Sequence, residues 1–432
     1  MSPEVIGIIG IILLFTLLAF RMHIGVAMAL VGFAGVSIIV NVEAGLNLLG
    51  IVPWAEGSSY TLSVIPLFIL MGQFAFASKI SQDIYKTVYT WIGHFKGGLA
   101  MATIVACSAF AAICGSSLAT GATMGRVAIP EMDKYKYNHS LSTGCVAAGG
   151  TLGILIPPSI GFVIYGILTE ESIGKLFMAG IFPGILLSTL FMATIYLQCH
   201  INPSLGPKGE KKSWSERITS LYKTWPMITL FIIVIGGIYF GVFTPTEAAG
   251  IGAFGAFVIA LIKRQLTMES FIDSLVGTGN MTAMIFLIII GANIFSSFLA
   301  FTNIPMNMAD AIVALALPKP IILLAIIVAF VLLGCIMDCF AIMILMVPIL
   351  FPILQALEFN TIWFGVIMVI VLEVGLITPP VGLNVFVIKG VAPNISMGTI
   401  FKGIWPFLIA AVVCLGLIIV FPEIALYLPS RM

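Results

Sequence analysis

Two nearly identical stretches carry the most distinctive chemistry of this chain. They read Gly-Ile-Leu-Ile-Pro-Pro over residues 153–158 and Gly-Leu-Ile-Thr-Pro-Pro over residues 375–380, which places them 222 positions apart in a chain of 432 residues. A proline lacks the N–H for the helical bond four residues back, and its ring clashes there, so each pair predicts a broken helix with freed carbonyl groups. Within a membrane, such groups are tolerated only where they face protein or a wet cavity.

The freed groups suit small charged ligands. The prolines remove the helical partners of the carbonyls of Gly153 and Ile154 in one stretch, and of Gly375 and Leu376 in the other. Carbonyls at the end of a half-helix suit a cation, whereas the half-helix N-termini that follow the prolines suit an anionic group. A pair of such breaks in matching halves predicts a transporter with its site near the middle of the bilayer, although a plain proline kink is the alternative at each position.

Two further segments predict re-entrant hairpins whose tips could complete these sites. The first tip has Gly115, which permits a tight turn, followed by the hydroxyls of Ser116 and Ser117. The second has Asp338, and Glu373 lies shortly before the second break. Charges inside apolar runs are costly and by default indicate function. Close helix packing by small residues is the alternative interpretation of the first tip.

Three other charges favour structural roles. Arg126 is expected to extend to the membrane surface, and Glu247 to cap a helix after Thr244. Lys389, near the end of the second broken segment, is also interpreted as structural.

The composition sets the class of protein. The chain is 60% hydrophobic and only 9% charged, whereas soluble domains carry roughly 25% charged residues. This predicts an all-α polytopic membrane protein. A net charge of +1 gives no reason to expect a nucleic-acid partner, and the seven cysteines show no spacing that indicates a metal site or disulfide. No P-loop, HExxH motif or Ser/His/Asp set is present, so neither an enzyme nor an ATP-driven pump is predicted.

The apolar runs predict ten membrane crossings and two hairpins. The crossings of the first half are 3–20, 24–41, 59–78, 140–168 (broken) and 175–199. Those of the second half are 225–242, 246–262, 274–301, 361–388 (broken) and 403–426. The hairpins are 97–130 and 318–357. Segments 43–54 and 82–96 are expected to be helices that lie in the membrane interface.

The Lys and Arg residues of the short loops predict the orientation. The loop from Lys208 to Lys223 is predicted to be cytoplasmic, and both termini periplasmic. Five crossings in each half make the two halves, 1–224 and 225–432, an inverted-topology repeat, because an odd number of crossings reverses the second copy. The same offset of 222 pairs Ser116 with Asp338.

The motifs together resemble a known family, the large membrane subunit (DctM-like) of tripartite ATP-independent periplasmic (TRAP) transporters, within the ion-transporter superfamily. The resemblance lies in residues 115–132 (GSSLATGATMGRVAIPEM), 150–166 (GTLGILIPPSIGFVIYG), 241–257 (GVFTPTEAAGIGAFGAF), 345–352 (LMVPILFP) and 374–390 (VGLITPPVGLNVFVIKG). It implies an elevator mechanism, in which a transport domain of hairpins and broken helices moves against a scaffold.

The resemblance also implies partners, a coupling ion and a location. The chain would import an organic acid anion, of the C4-dicarboxylate or sialic acid class, by sodium symport across the bacterial inner membrane. A periplasmic binding protein would deliver the substrate, and a small four-helix membrane subunit, expected as a separate chain, would extend the scaffold.

Site residues follow from the same resemblance. The implied sodium ligands of the first site are Ser116, Ser117, Gly153 and Ile156. Those of the second are Asp338, Gly375, Thr378 and Pro379. The implied substrate contacts are Gly115, Pro158 and Asn384. Most of the sodium ligands would act through backbone oxygen, and the second tip departs from the first because Asp338-Cys339 replaces Ser116-Ser117.

Three alternatives stay open on the sequence. An ion channel would conduct without coupling, and another secondary transporter would work without a binding protein. An intramembrane enzyme would need a general base beside Ser116 or Ser117, and none of the four histidines lies within a predicted crossing.

Overall fold

A computed structural model describes residues 2–314, 317–335 and 337–432 of the chain. All regular secondary structure in these residues is helical. Seven helices are long and apolar enough to cross a membrane, or eight if the bent pair Val42–Gly57 and Thr61–Ala77 forms one span. The predicted all-α polytopic fold is therefore confirmed.

The first half of the chain contains eleven α-helices and a 3₁₀ turn at Thr61–Ser63. The helices are α1 (Pro3–Ala19), α2 (Ile24–Ile39), α3 (Val42–Gly57), α4 (Val64–Ala77), α5 (Ile80–Ile92), α6 (Gly98–Cys114), α7 (Ser117–Lys134), α8 (His139–Gly150), α9 (Leu152–Leu155), α10 (Ile160–Thr169) and α11 (Ile173–Ile201).

The second half continues with ten helices and ends in a 3₁₀ turn at Pro429–Arg431. They are α12 (Trp214–Tyr239), α13 (Pro245–Ile262), α14 (Met268–Thr302), α15 (Ile304–Ala314), α16 (Lys319–Gly334), α17 (Cys339–Ala356), α18 (Thr361–Ile377), α19 (Leu383–Val391), α20 (Met397–Val420) and α21 (Glu423–Leu426).

The two helix pairs α6–α7 and α16–α17 occupy the segments in which hairpins were predicted, and both predicted broken segments are interrupted at their prolines. The offset of 222 residues recurs in these helix starts. Ser116 is the N-cap of α7 and its side chain accepts from the Ala119 N–H, while Asp338 is the N-cap of α17 and accepts from the Phe340 N–H. The opposite orientation of the two halves stays a prediction.

Several helix boundaries differ from the sequence prediction, most of all the start of α12, and one helix was not predicted. Helix α12 begins at Trp214 rather than at residue 225, because Ser213 and Glu216 form a capping box that starts the helix in the polar loop. Helix α15, Ile304–Ala314, was not predicted. Its apolar run is too short and too interrupted to predict a membrane crossing.

Helix α18 lies at the centre of the fold, since every residue from Trp363 to Ile377 is buried. Helix α20 packs on α18, and it crosses α8 through glycines. A Cβ added to Gly144 would lie 2.4 Å from the Gly403 carbonyl oxygen, and one added to Gly403 would lie 1.8 Å from the Ser140 carbonyl oxygen. Only glycine permits the two backbones to approach this closely, as in other membrane helix pairs.

A second glycine seam joins α2 to α14. A Cβ on Gly25 would meet the Leu287 carbonyl oxygen at 2.4 Å, and one on Gly32 would meet the Ile294 carbonyl oxygen at 2.8 Å. On the outer faces of the fold the side chains are apolar and open, as at Ile12, which is 60% exposed. Such exposure is expected where lipid rather than water surrounds the protein.

The glycine crossing gives a test of the packing. We expect Gly403→Val to lower the free energy of unfolding by about 3 kcal/mol, because backbone atoms of α8 cannot rotate away from the added carbons. The matched control is Gly416→Val on the same helix, since nothing lies within 4 Å of a Cβ at that position. Thermal melting of the purified variants measures both, and equal melting temperatures would contradict the α8–α20 contact.

Candidate functional site

The first break interrupts the helical path between α9 and α10. Ile156 is extended, with φ −84° and ψ 122°, as the residue before a proline tends to be. The Ile154 carbonyl accepts from the Ser159 hydroxyl, so a side chain replaces one of the two lost helical bonds. No donor in the described residues reaches the Gly153 carbonyl. The break therefore leaves one oxygen open beside the first hairpin tip.

The second break has the same backbone course between α18 and α19. Thr378 is extended, with φ −89° and ψ 136°, and the Pro379–Pro380 peptide is cis like Pro157–Pro158. The Gly375 carbonyl accepts from the Thr378 N–H at 3.1 Å, whereas no donor in the described chain reaches the Leu376 carbonyl. The Leu376 and Thr378 carbonyl oxygens both face Gly382, within 3.4 Å of a Cβ built there.

The first hairpin tip lies directly against the first break. A Cβ added to Gly153 would stand 2.6 Å from the Ser116 carbonyl oxygen and 2.7 Å from the Ser117 backbone nitrogen. On the other side of the tip, a Cβ added to Gly115, whose φ is +60°, would lie 3.2 Å from the Pro158 carbonyl oxygen. The tip is thus held between the two ends of the broken helix.

The second hairpin packs on the second broken helix in a similar manner. A Cβ on Gly375 would lie 2.7 Å from the Gly334 Cα, so the two glycines bring α16 and α18 into backbone contact. The Cys335 thiol donates to the Pro379 carbonyl over 3.5 Å. Each tip therefore meets the break of its own half.

One buried hydrogen bond between side chains joins the first tip to the helix that carries the second break. Ser117 Oγ, at the start of α7, donates to Glu373 Oε1 on α18 at 2.5 Å, and Glu373 is only 2% exposed. A carboxylate buried this deeply needs partners, because unpaired burial of a charged group is costly. The bond fixes the first tip to the helix that carries the second break.

Several buried polar atoms of α7, α18 and α19 have no partner among the described residues. They are Glu373 Oε2, both side-chain amide atoms of Asn384, and Thr120 Oγ1. Asn384 is 1% exposed and Thr120 is fully buried. Buried polar groups are normally paired, and orphans in a native structure indicate an ion, a water molecule or a functional group. Their oxygens are of the type that hard cations prefer.

A cavity of about 180 Å³ opens beside the first tip, between it and helices α4 and α14. Ser116, Thr123 and Arg126 line it from α7 and its N-cap, and Gln73 lines it from α4. Gly72 of α4 and Cys114 also line the cavity, and a Cβ on Gly72 would lie 3.2 Å from the Cys114 Cα. The cavity thus combines a hairpin tip, hydrogen-bonding groups and one cationic side chain.

The structure brings the predicted residues into two groups. Gly115, Ser116, Ser117, Gly153, Ile156 and Pro158 surround the first tip, and Asp338, Gly375, Thr378 and Pro379 lie at or beside the second tip and break. Asn384 is buried in the first turn of α19 rather than in the cavity. Whether these residues bind sodium or substrate stays a prediction.

Two cavity residues were not predicted to belong to a site. Arg126, which was interpreted as structural, lines the cavity together with Ser116, and Gln73 of α4 lines it as well. The spacing 116, 119, 123 and 126 places one face of α7 along the cavity and could have indicated this. By contrast, Lys389 donates to the Pro393 and Ile395 carbonyls and Glu247 forms a capping box with Thr244, as their structural interpretation requires.

The fold by itself indicates a class of protein. It is typical of helical membrane transporters in which membrane helices are broken by irregular backbone. The crystal structure of the Alcanivorax borkumensis YdaH transporter superposes with a TM-score of 0.65 and covers 88% of this chain and 90% of that one. The two sequences are only 15% identical, so this likeness concerns the fold alone.

The sequence comparisons are more specific. Residues 11–424 match the family described as "Tripartite ATP-independent periplasmic transporter, DctM component". The C4-dicarboxylate TRAP transporter large permease protein DctM of Pseudomonas aeruginosa is 38% identical over 86% of each chain. The sialic acid TRAP transporter large permease protein SiaM of Vibrio cholerae is 32% identical, over 86% of this chain and 87% of that protein. This chain belongs to the DctM family of TRAP transporter large permeases.

The bond between Ser117 and Glu373 can be tested alone. We expect Ser117→Ala to destabilise the protein by about 1–3 kcal/mol, because it leaves the buried Glu373 carboxylate unpartnered. Adding Glu373→Met should recover most of this loss, since both polar partners are then removed. Ser78→Ala is the control, because that buried hydroxyl donates only to the Ala75 carbonyl of its own helix. Equal melting temperatures for the Ser117 and Ser78 variants would contradict the assignment.

Proposed function

We propose that this chain is the transport subunit of a sodium-coupled elevator that imports an organic acid anion. The single observation that carries the proposal is the contact of each hairpin tip with a proline-broken helix that has an open carbonyl. These contacts place Gly153 against the Ser116 backbone and Gly375 against Gly334. Membrane proteins keep such irregular backbone at a site for ions or substrates.

Sodium fits the donor set. Hard cations take several oxygen ligands, from carbonyls, hydroxyls and carboxylates. The first tip and break offer the Ser116 and Gly153 carbonyls and the Ser117 hydroxyl. The second break offers the Leu376 and Thr378 carbonyls, and the second tip offers the Asp338 carboxylate. We propose the same ligands as the resemblance implied, with the Leu376 carbonyl added because no donor among the described residues reaches it.

The proposed substrate class rests on the charge of the cavity and on the substrates for which the relatives are named. Arg126 supplies a positive charge to a cavity that Ser116, Thr123 and Gln73 also line, which favours an anion. Relatives are named for C4-dicarboxylates and for sialic acid, and both ligands carry carboxylates. We propose an organic acid of one of these classes, bound between the first tip and α4.

The proposed elevator motion rests on a contrast in packing. The hairpin tips pack tightly on the broken helices, whereas cavities lie between this group and its neighbours. Tips and broken helices meet through glycine backbones without gaps, as at Gly334 and Gly375. By contrast, two cavities separate α7 from its neighbours outside this group, one of about 180 Å³ beside α4 and one of about 310 Å³ beside α5. A tightly packed group of hairpins and broken helices with cavities at its boundary is what a domain that moves as a rigid body requires.

A periplasmic binding protein and a small membrane subunit are proposed as partners, and the bacterial inner membrane as the location. Both partners accord with the description of the family as a tripartite periplasmic transporter. The isethionate relative from Oleidesulfovibrio alaskensis is named as a single permease protein DctMQ, and this chain covers 62% of its length.

Reconstituted transport tests the proposal. The chain, a small membrane subunit and a loaded binding protein are placed in vesicles, and uptake of labelled succinate or N-acetylneuraminate is followed. We expect accumulation only with an inward sodium gradient, because the freed carbonyls need the cation to complete the site. Replacing sodium by potassium on both sides is the control.

The outcomes separate the alternatives. Uptake that persists in potassium would contradict sodium coupling, and uptake without the binding protein would favour a secondary transporter that acts alone. Single-channel currents would favour a channel. Accumulation of neither probe, together with sodium-dependent melting, would leave the coupling site intact and exclude these two substrates.

A glycine variant tests the first sodium site. We expect Gly153→Ala to weaken the apparent sodium affinity roughly tenfold, because the methyl group would press on the Ser116 carbonyl at a cost of about 1–3 kcal/mol. Gly121→Ala is the control on α7, since a Cβ there lies 3.9 Å from its nearest neighbours. The sodium concentration that gives half-maximal uptake is the measurement. An unchanged value in Gly153→Ala would contradict the site.

A further inference from the structure

An arginine outside the transport site is buried between two tryptophans. Arg217 lies in the first turn of α12 and is 8% exposed. Its guanidinium carbon lies 5.2 Å from the centre of the Trp214 ring and 5.8 Å from that of the Trp91 ring on α5. The two rings meet edge to face, and the Trp91 indole N–H donates to the Arg217 carbonyl at 3.3 Å. The side chain is therefore held in one place.

This guanidinium has no counter-charge in the described chain. Its Nε and Nη2 atoms are buried and make no hydrogen bond, and no carboxylate forms an ion pair with it. The nearest acidic residue in sequence, Glu216, is engaged in the capping box with Ser213. Cation–π contact offsets only part of the cost of burying a charge. An anion is the missing partner.

The surroundings add further positive charge. Lys208, Lys211 and Lys212 lie in the loop before α12, where Glu210 is close to Lys212. The pKa of His94, in the loop after α5, is lowered by burial and then by the charges of Arg217, Lys211 and Lys208. Several cations thus act on the same region, which would concentrate a phosphate group there.

The position of this arginine points to a lipid as the source of the anion. The loop before α12 carries the strongest Lys and Arg excess of the short loops and is predicted to face the cytoplasm. The cytoplasmic leaflet holds the anionic lipids, and tryptophan belts lie at the depth of the headgroups. Trp214 is 68% exposed, so the site is at the protein surface.

An apolar crevice continues from the same seam. Its volume is about 460 Å³. Residues of α5 and α12 line it, such as Val88 and Ile228, together with residues of α6 and α11 and with Ile156 and Pro157 of the first break. Positions 217, 221, 224 and 228 fall on one face of α12, and the crevice follows that helix from Leu221 to Phe231, about 15 Å at 1.5 Å per residue. A charged end and an apolar continuation match the two parts of one phospholipid.

We propose that Arg217, held between Trp91 and Trp214, binds the phosphate of an anionic phospholipid of the cytoplasmic leaflet. One acyl chain of this lipid occupies the crevice between α5 and α12. The lipid thus contacts α5 and α12 on one hand and the first break, at Ile156 and Pro157, on the other. Its binding, as proposed, requires neither substrate nor sodium.

Retention of lipid by the purified full chain tests the proposal. Protein exchanged into detergent with equal amounts of phosphatidylglycerol and phosphatidylcholine is examined by native mass spectrometry. We expect one phosphatidylglycerol to remain on the wild type, and Arg217→Gln to reduce its retention roughly tenfold, because a charge-assisted bond is lost. Arg217→Lys should keep part of the retention. Arg264→Gln is the matched control, since Arg264 is exposed on another loop.

The controls decide between sources of the anion. Equal retention by Arg217→Gln and wild type would overturn the proposal. Stabilisation of lipid-free wild type by millimolar inorganic phosphate, equal to that by phosphatidylglycerol, would show a free-anion site instead and would also overturn it.

A measurement on the wild type covers the case in which Arg217→Gln does not fold. Phosphatidylglycerol with brominated acyl chains should quench tryptophan fluorescence more than brominated phosphatidylcholine. The difference in quenching between the two brominated lipids should be smaller in the Trp91→Phe and Trp214→Phe variants. Equal quenching of the wild type by the two lipids would overturn the proposal.

Discussion

The two proline pairs impose the constraint on which the rest of the structure depends. A membrane offers no water to satisfy a broken helix, so every carbonyl that a proline frees must find a donor or an ion. The four freed carbonyls meet this requirement in different ways. Ser159 satisfies Ile154 and the Thr378 N–H satisfies Gly375, while the Gly153 and Leu376 carbonyls receive no donor in the described chain. These two open oxygens are the ones we propose as ligands of an ion.

Glycines at the contacts make the arrangement possible. A hairpin tip can reach a broken helix only if backbone meets backbone, and Gly153, Gly334 and Gly375 provide that approach. The Ser117–Glu373 bond then couples the first tip to the helix of the second break. The two broken helices and the first tip are therefore connected through backbone contacts at glycines and through the buried Ser117–Glu373 bond.

The sequence predicted much of this because proline and glycine act locally. The hairpin tips at Ser116 and Asp338 and the two breaks were predicted from residues within a few positions of each other. Tertiary contacts do not follow in this way. Nothing in the sequence pairs Ser117 with Glu373, places Arg126 beside Ser116 in a cavity, or shows that Ser159 would occupy a freed carbonyl. Helix α15 was missed because its apolar run is too short to indicate a crossing.

The most direct test of the central claim is an experimental density map of the protein in saturating sodium, compared with one in potassium. The account predicts density within coordination distance of the Gly153 and Ser116 carbonyls, and a second feature at the Leu376 and Thr378 carbonyls, both present in sodium only. Continuous helix through residues 153–158 and 375–380, or breaks without an ion in sodium, would contradict it.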